Sequence, residues 1–301
     1  MQLSAAVVAL VEWLRRITPV EIKQYYWAAM EVYRNPWFYI LVAAILLLEF
    51  IRPAMRGQRV FSRALVQDFI WFNFDLMFKV AALPAFIGIL HIGYTHVTGG
   101  FTLPLLRAWP LGARVFASFI VFDFLQWFHH WVRHRVTVFW HFHVIHHSQH
   151  EMNLFTDLRV HSVEYIIAQF LTFIPMFMFG LTPFAIVTVA LVTAWFTRFN
   201  HANIRTNLGP LRYLVVTPQF HRIHHSIEPR HRDLNFGVCL TIWDRAFGTL
   251  YPHYDEYPAT GVEGVFFATP GGFSPRAWLA GLGRQFLYPF RQLRRRRTPA
   301  R

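Results

Sequence analysis

Long apolar runs recur along this chain of 301 residues, and short arginine clusters separate them. The first run is Trp37–Ile51, the second extends from about Phe69 to Leu90, and the third from about Leu111 to Phe128. Charged residues make up 15% of the chain, whereas a soluble domain carries about 25%. So little charge cannot cover a globule, and apolar runs of this kind enter bilayers as helices. The sequence therefore predicts an all-α integral membrane protein with transmembrane helices.

Arginines next to the first run predict which side of the membrane the following region faces. Four of them lie within twelve residues of its end: Arg52, Arg56, Arg59 and Arg63. Short loops rich in Arg and Lys stay on the cytoplasmic side. Alternation across the next two runs then places the region after Phe128 on the cytoplasmic side as well.

Two shorter apolar runs predict a re-entrant hairpin rather than two further spans. Tyr165–Phe179 and Phe184–Phe199 flank the turn sequence Gly-Leu-Thr-Pro at 180–183. A helix of about 15 residues is about 22 Å long, short of a hydrocarbon core of about 30 Å. Such a hairpin leaves both of its flanks on the cytoplasmic side, where we expect a histidine-rich helical cap.

The rest of the chain divides by composition into three regions of one structural domain. Residues 1–110 hold N-terminal membrane and interfacial helices, residues 111–255 hold most of the histidines, and residues 256–301 form a basic C-terminal tail. The net charge of +13 can indicate nucleic acid, but the apolar content favours an anionic membrane surface and no nucleic acid partner. The single cysteine, Cys239, excludes an internal disulfide and a multi-thiolate zinc site.

Seventeen histidines outnumber the sixteen acidic residues, and most of them follow a pattern. His130 and His134 form an HxxxH motif, and HxxHH occurs twice, at 143–147 and 221–225. On a helix, residues three or four apart lie on one face, so each motif offers imidazoles to a common metal. Adjacent histidines point about 100° apart, so they can reach two metals. The spacing predicts two metal ions held by eight histidines: His130, His134, His143, His146, His147, His221, His224 and His225.

Imidazole is a ligand for Fe, Zn, Cu and Ni, so the motifs alone leave the metal open. Isolated histidines are usually structural, and we expect no ligand role for His91, His96, His231 and His253.

The motifs and their surroundings resemble the fatty acid hydroxylase/sterol desaturase superfamily of membrane di-iron oxygenases. The segments Asp123–Arg135 and Trp140–Ser148 are similar to its first two histidine boxes, and Thr217–Ser226 is similar to the third. Further similar segments are Met152–Asn153, Thr156–Glu164, Phe199–Ile204, Asp233–Gly237 and Trp243–Thr249. The resemblance covers roughly residues 115–250, so residues 111–255 are expected to be the fatty acid hydroxylase-like catalytic region.

The resemblance implies a helical membrane anchor with a cytosolic cap, two irons in an all-histidine shell, and O₂-dependent attack on a lipid C–H bond. It carries the ligand role to the eight motif histidines and suggests His161 and His201 as additional ligands or supporting groups. Zinc is the alternative metal. His129, His141 and Ser162 depart from the family pattern. Carboxylates that would orient the rings are Asp123, Asp157, Glu164 and Asp233, while Asp244 is expected to cap or pair structurally.

The chain shows no haem domain, iron–sulfur cysteines, P-loop or Rossmann glycine pattern. A separate haem or iron–sulfur carrier and its reductase are therefore expected as electron donors, docking on a basic cytoplasmic surface. The alternative enzyme is a zinc-dependent membrane hydrolase, which is disfavoured because no glutamate lies inside a histidine motif. A metal carrier or sensor is a third class, disfavoured because the motifs flank the membrane runs. The lipid substrate, and the choice between hydroxylation and desaturation, stay open.

Overall fold

The structure is a computed structural model that describes residues 23–24, 27, 31, 34–81, 83–106, 108–265, 267, 272 and 274–295. Most of the predicted interfacial helices at 1–36, and residues 296–301 of the basic tail, lie outside the described residues. Within them the chain forms α-helices and short 3₁₀ turns, with isolated β-bridges and no β-strand. The prediction of an all-helical fold is confirmed for this part of the chain.

Ten α-helices, α1 to α10 in chain order, carry the fold of the described residues. Their bounds are Pro36–Ile51 (α1), Arg63–Ala81 (α2), Leu83–Thr98 (α3), Leu111–Arg135 (α4), Thr137–His147 (α5), Ser162–Met178 (α6), Pro183–His201 (α7), Pro218–His224 (α8), Ile242–Ala246 (α9) and Pro275–Arg295 (α10).

Two helices, α4 with 25 residues and α7 with 19, are long and apolar enough to cross a membrane. The helices α1 and α6 are apolar but shorter. The second predicted run, about Phe69 to Leu90, falls across α2 and α3. Since α7 has the length of a full span, the re-entrant hairpin of α6 and α7 stays a prediction.

The helices contribute to two compact units. The first comprises residues 74–122 and 169–191 together with the N-terminal part up to Ile40. Its core includes Phe122, Phe173, Met176 and Ile186, each at most 3% exposed. The turn after α6 begins at Gly180, whose φ of 61° suits glycine. Arg114 donates to the carbonyls of Phe179 and Gly180, so these two backbone acceptors just beyond the end of α6 have a hydrogen-bond donor.

The second unit comprises residues 41–73, 123–168 and 192–301, and it contains every histidine of the three motifs. Buried carboxylates from α1 and α2 hold its loops. Glu49 accepts from the backbone N–H groups of Leu154 and Asn203 at 3.0 and 2.8 Å. Asp68 pairs with Arg159 at 3.0 Å, and both side chains are at most 1% exposed.

Asp68 organises the segment that follows α5 because it accepts four hydrogen bonds. Besides the Arg159 guanidinium, its donors are the side chains of Gln149, Asn153 and Thr156, at 2.8 to 2.9 Å. Arg159 also donates from Nε to the Ile145 carbonyl in the last turn of α5, at 2.9 Å. A buried ion pair satisfied in this way fixes the end of α5, where two of the motif histidines lie.

Candidate metal centre

Three short helical segments bring the histidine motifs together within the second unit. The chain breaks at Val136, whose extended backbone ends α4 and lets α5 start in a new direction. The helix α8 starts where Thr217 accepts a hydrogen bond from the Phe220 N–H at 3.1 Å, with Pro218 in its first turn. Almost all of α8 is buried. The histidines of each motif therefore lie on a helix or at its end, as their spacing in the sequence predicts.

Nine histidines gather into two clusters, and within each cluster one nitrogen of every ring lies within 4.8 Å of the others. The first cluster consists of His130, His134, His143, His147 and His224. The second consists of His146, His201, His221 and His225. Adjacent histidines separate between the clusters, because His146 and His147 point to different ones, as do His224 and His225.

In the first cluster, His147 lies at the centre. Its Nε2 atom is 3.2 Å from Nε2 of His134 and 3.1 Å from Nε2 of both His143 and His224. The His130 ring completes the set at 4.4 Å from the His224 ring. Five imidazole nitrogens thus face a common point.

The second cluster repeats this arrangement with four rings. Nε2 of His201 is 3.1 Å from Nε2 of His146 and 2.9 Å from Nε2 of His221. Nε2 of His225 is 3.2 Å from Nε2 of His221. The structure therefore places His201 among the motif histidines, although it comes from the far end of α7.

The outer nitrogens of several rings are fixed by acceptors, and this sets their tautomers. Nδ1 of His130 donates to the Phe236 carbonyl and Nδ1 of His224 to the Leu234 carbonyl, each at 2.9 Å. Nδ1 of His201 donates to the Thr197 carbonyl at 2.6 Å. A neutral imidazole that donates from Nδ1 carries a lone pair on Nε2. These lone pairs point into the clusters.

Such an arrangement fits a metal ion. Lone pairs facing one another at 2.9 to 3.2 Å repel unless a cation lies between them. A metal–nitrogen bond of about 2.1 Å, with an angle of about 90° at the metal, places two ligand nitrogens about 3.0 Å apart. His130 Nε2 is buried and has no hydrogen-bond partner among the described residues, as expected for a ligand atom. Both clusters therefore have donor sets that suit metals preferring imidazole.

Burial keeps the imidazoles outside the membrane-spanning helices neutral. It is the first cause that lowers the pKa of each well below 6.5, and neighbouring histidines lower it further. This applies to His143, His146, His147, His221, His224 and His225. Neutral rings are the form that binds metals.

Two of the four predicted carboxylates touch cluster histidines. Glu164 accepts from Nδ1 of His143 at 2.7 Å and pairs with Arg133 at 2.9 Å. Asp233 lies 3.7 Å from Nδ1 of His134. The His134 imidazole is the first cause that lowers the pKa of Asp233, and Arg135 adds to it. Glu164 therefore orients the His143 ring through its outer nitrogen, and Asp233 lies beside the outer nitrogen of His134 without a hydrogen bond.

The other two carboxylates bind elsewhere. Asp123 accepts from the backbone N–H groups of Cys239 and Leu240 and from the Trp243 indole, at 2.9 to 3.1 Å. Asp157 forms an ion pair with Arg198 at 3.6 Å. They stabilise the surrounding loops rather than a cluster ring.

His161 lies outside both clusters. Its Nε2 bonds to the Phe286 carbonyl of α10 at 3.0 Å, and its Nδ1 accepts from the Val163 N–H at 3.2 Å. Of the two histidines that depart from the family pattern, His129 bonds to Gln126 one turn earlier on α4, and neither His129 nor His141 belongs to a cluster.

The loop at 233–237 has a role that the sequence analysis missed. Asp233 and Asn235 adopt positive φ angles of 59° and 61°, and the carbonyls of the residues after them bind His224 and His130. Asp244 anchors this loop by accepting from the N–H groups of Phe236 and Gly237 at 2.8 and 2.6 Å. It is fully buried, and burial raises its pKa to about 6. The Asp-Leu-Asn-Phe-Gly pattern was the available signal, since Asn, Asp and Gly tolerate this backbone.

A cavity of about 420 Å³ adjoins the first cluster. His134, His147 and His224 form part of its wall, next to Trp140. Further lining comes from Ser226, Ile227, Arg232, Asp233, Gly261, Val262 and Glu263. Its volume is typical of a ligand site. No member of the second cluster lines this cavity within the described part of the chain.

Comparison with known proteins agrees with this geometry. Residues 115–249 match the family model for fatty acid hydroxylase. Alkylglycerol monooxygenase of Xenopus tropicalis is 30% identical over 172 residues, which are 57% of this chain and 38% of that protein. Ornithine lipid hydroxylase OlsE of Rhizobium tropici is 29% identical over 165 residues, or 55% and 49%. Human alkylglycerol monooxygenase is 30% identical over 194 residues, or 58% and 42%.

The chain thus spans less than half the length of each of these relatives. No solved structure matches it. The family match covers all nine clustered histidines and the loop that orients two of them. Residues 115–249 therefore match the fatty acid hydroxylase family, and this confirms the resemblance to the fatty acid hydroxylase/sterol desaturase superfamily that the histidine motifs indicated.

Proposed function

We propose that this chain binds two iron ions, one in each histidine cluster, and hydroxylates a C–H bond of a membrane lipid with O₂. The observation that carries the proposal is the convergence of nine imidazoles, with facing nitrogens 2.9 to 3.2 Å apart. The ligands proposed are the eight motif histidines and His201. The hydrogen bonds of His161 to residues 286 and 163 support a structural role for it instead.

Iron supplies the activation of O₂ when bound, and the protein residues supply position and enclosure. Glu164 and the carbonyls of Leu234, Phe236 and Thr197 hold the outer nitrogens, so that the rings present Nε2 inward. Burial of the second cluster keeps bulk water away from it, since all four of its histidines are at most 5% exposed.

A lipid is the proposed substrate because the relatives act on lipids by name and the cavity leads to the first cluster. The names alkylglycerol monooxygenase and ornithine lipid hydroxylase denote two different kinds of lipid, so they support a lipid substrate without specifying its headgroup. Both names describe insertion of oxygen, which favours hydroxylation over desaturation. Arg232 and Glu263 lie at the cavity and are exposed, where a polar headgroup can contact both.

The reaction needs electrons from another protein. Hydroxylation consumes R–H, O₂, two electrons and two protons, and yields R–OH and water. The sequence has no haem-domain or iron–sulfur motif. We therefore propose a separate haem or iron–sulfur carrier with its reductase as the electron donor. Turnover should require the carrier and slow above about 0.15 M salt, because salt screens docking charges.

The active site is proposed to face the cytoplasm, as part of a cap beside a re-entrant hairpin. Arg56 and Glu263 are exposed and belong to the second unit. Cysteine introduced at either position should resist an impermeant thiol reagent in intact cells and react after lysis. Labelling of intact cells would contradict this topology.

Metal analysis of anaerobically purified protein tests the central proposal. We expect two irons per chain and incorporation of one ¹⁸O atom from ¹⁸O₂ into a lipid product. One zinc per chain with O₂-independent lipid hydrolysis would instead support the zinc-dependent membrane hydrolase. Lipid analysis of a deletion strain against its parent would identify the substrate.

A further inference from the structure

The helix α10 carries positive charges and no negative ones. Pro275–Arg295 contains five arginines and no acidic residue in 21 positions. It is also strongly two-sided, with one set of side chains packed on the protein and another set exposed.

The packed side of α10 is fixed to the second unit. Gln285 is 1% exposed and accepts from the Trp71 indole at 2.9 Å. Phe286 stacks on His161 with ring centres 4.6 Å apart, and Phe290 meets Phe142 of α5 at 5.6 Å. These contacts determine which side of the helix faces away from the protein.

The outward side mixes arginines with large apolar side chains. Leu279 is 65% exposed and Leu287 44%, and Phe290, at the boundary between the two sides, is 43% exposed although one edge of its ring meets Phe142. The exposed arginines on this helix are Arg276, Arg284, Arg291 and Arg294. At about 100° per residue, these seven positions fall within an arc of about 140°. The surface is therefore apolar along its middle and cationic along its length.

We propose that the outward side of α10 lies in the headgroup layer of an anionic membrane surface. Exposed Leu and Phe lose contact with water by entering the acyl boundary. Arginine stems can lie along that boundary while the guanidinium groups reach lipid phosphates. An acidic protein would satisfy the arginines, but it would leave the three apolar side chains between them without a matching environment.

This position would connect lipid charge to the metal centre. Phe290 packs on Phe142, one residue before His143 of the first cluster. A lipid-bound α10 would then act as a support behind α5.

A spin label on α10 tests the proposal in the full chain. Leu287→Cys, labelled with a nitroxide, is reconstituted in liposomes of phosphatidylcholine alone or with 30% phosphatidylglycerol. The buried Cys239 leaves the introduced thiol as the reactive one, and the unsubstituted protein controls for background labelling. We expect the label at 287 to collide more with O₂ and less with a water-soluble nickel chelate when phosphatidylglycerol is present. A label at Glu263→Cys, a site 79% exposed, should stay accessible to the chelate.

The arginines are tested by combining Leu287→Cys with Arg284→Gln, Arg291→Gln and Arg294→Gln. This variant keeps Gln285, Phe286 and Phe290, so the packed side is unchanged. The decrease in chelate access at 287 that phosphatidylglycerol causes should become at least about tenfold smaller in this variant. An unchanged melting temperature shows that the variant is folded. Equal chelate access at 287 and 263 in both liposomes would overturn the proposal. Protection of 287 only after addition of an acidic redox protein would overturn it in favour of a protein partner.

Discussion

The two histidine clusters have similar ligand spacing but different supports. In the first, the outer nitrogens of His130 and His224 bind carbonyls of one loop, and a cavity opens beside the rings. In the second, Nδ1 of His221 and of His225 has no hydrogen-bond partner among the described residues. The Asp68–Arg159 pair holds Thr156 and the last turn of α5, which carries one histidine of each cluster. The first cluster therefore adjoins a cavity that a ligand can enter, whereas all four histidines of the second cluster are buried.

Removal of one ligand from each cluster should give the largest effects. His224→Ala takes one of five rings from the first cluster and His146→Ala one of four from the second. We expect each variant to lose at least about 100-fold in turnover, because loss of even a supporting contact costs a metal site about 10- to 100-fold. Iron per chain and lipid turnover are the measurements. His253→Ala, at an exposed site, is the control, and full iron content in either cluster variant would refute the ligand assignment.

Asp68→Ala should reveal how much the buried ion pair stabilises the last turn of α5, which carries one histidine of each cluster. It leaves the Arg159 guanidinium buried without its charge partner, which costs about 3–5 kcal/mol of unfolding free energy. Thermal unfolding of the metal-free protein measures this loss. The control is Glu263→Ala, which removes an ion pair that is 59% and 79% exposed and should cost less than about 1 kcal/mol. Equal stability of the two variants would show that the pair does not support the site.

Asp244→Asn should weaken the first cluster selectively. The amide would place an N–H₂ group against the backbone N–H of Gly237, where the carboxylate now accepts at 2.6 Å, and the loop carbonyls would move from His130 and His224. We expect metal affinity to fall at one of the two sites by about 10- to 100-fold, which is the usual cost of losing a group that orients a metal ligand. Stepwise chelation followed by metal analysis separates the sites. Asp123→Asn alters a similarly buried carboxylate that accepts from the N–H groups of Cys239 and Leu240, outside the loop at 233–237, and an equal effect there would refute the selectivity.

Val262→Trp should have the smallest effect on iron content, and it tests the role of the cavity separately from the metal ligands. The larger ring fills part of the space beside the first cluster while leaving the ligands in place. We expect normal iron content with lipid turnover reduced about tenfold, since access to a positioned C–H bond is lost. Unchanged turnover would mean that the substrate reaches the metals by another route.

The sequence predicted the helical fold and the pairing of histidines along each helix, because both depend on local periodicity. His143 and His147 lie one turn apart and share a cluster, as do His221 and His225. The separation of adjacent histidines follows from the same helical geometry. These features need no knowledge of distant contacts.

The remaining features depend on contacts between residues far apart in the chain. His161 resembles a ligand in sequence, but its position is set by the Phe286 carbonyl, 125 residues away. Asp123 precedes the first histidine motif yet binds the backbone 116 residues later. Periodicity carries no information on such pairs. Asp68 lies outside the family match and gave no signal at all.

Neighbouring residues on α5 and α8 serve different clusters, and this has a thermodynamic consequence. In the proposed two-iron site, a metal bound by His147 and His224 would immobilise the same two helices that carry His146 and His221. The second ion would then meet ligands whose ordering has already been completed, so loading should be cooperative. A chain given half of its metal would consist mainly of empty and fully loaded molecules. A cell that limits iron would therefore hold fewer complete enzymes, rather than many incomplete ones that react with O₂ unproductively.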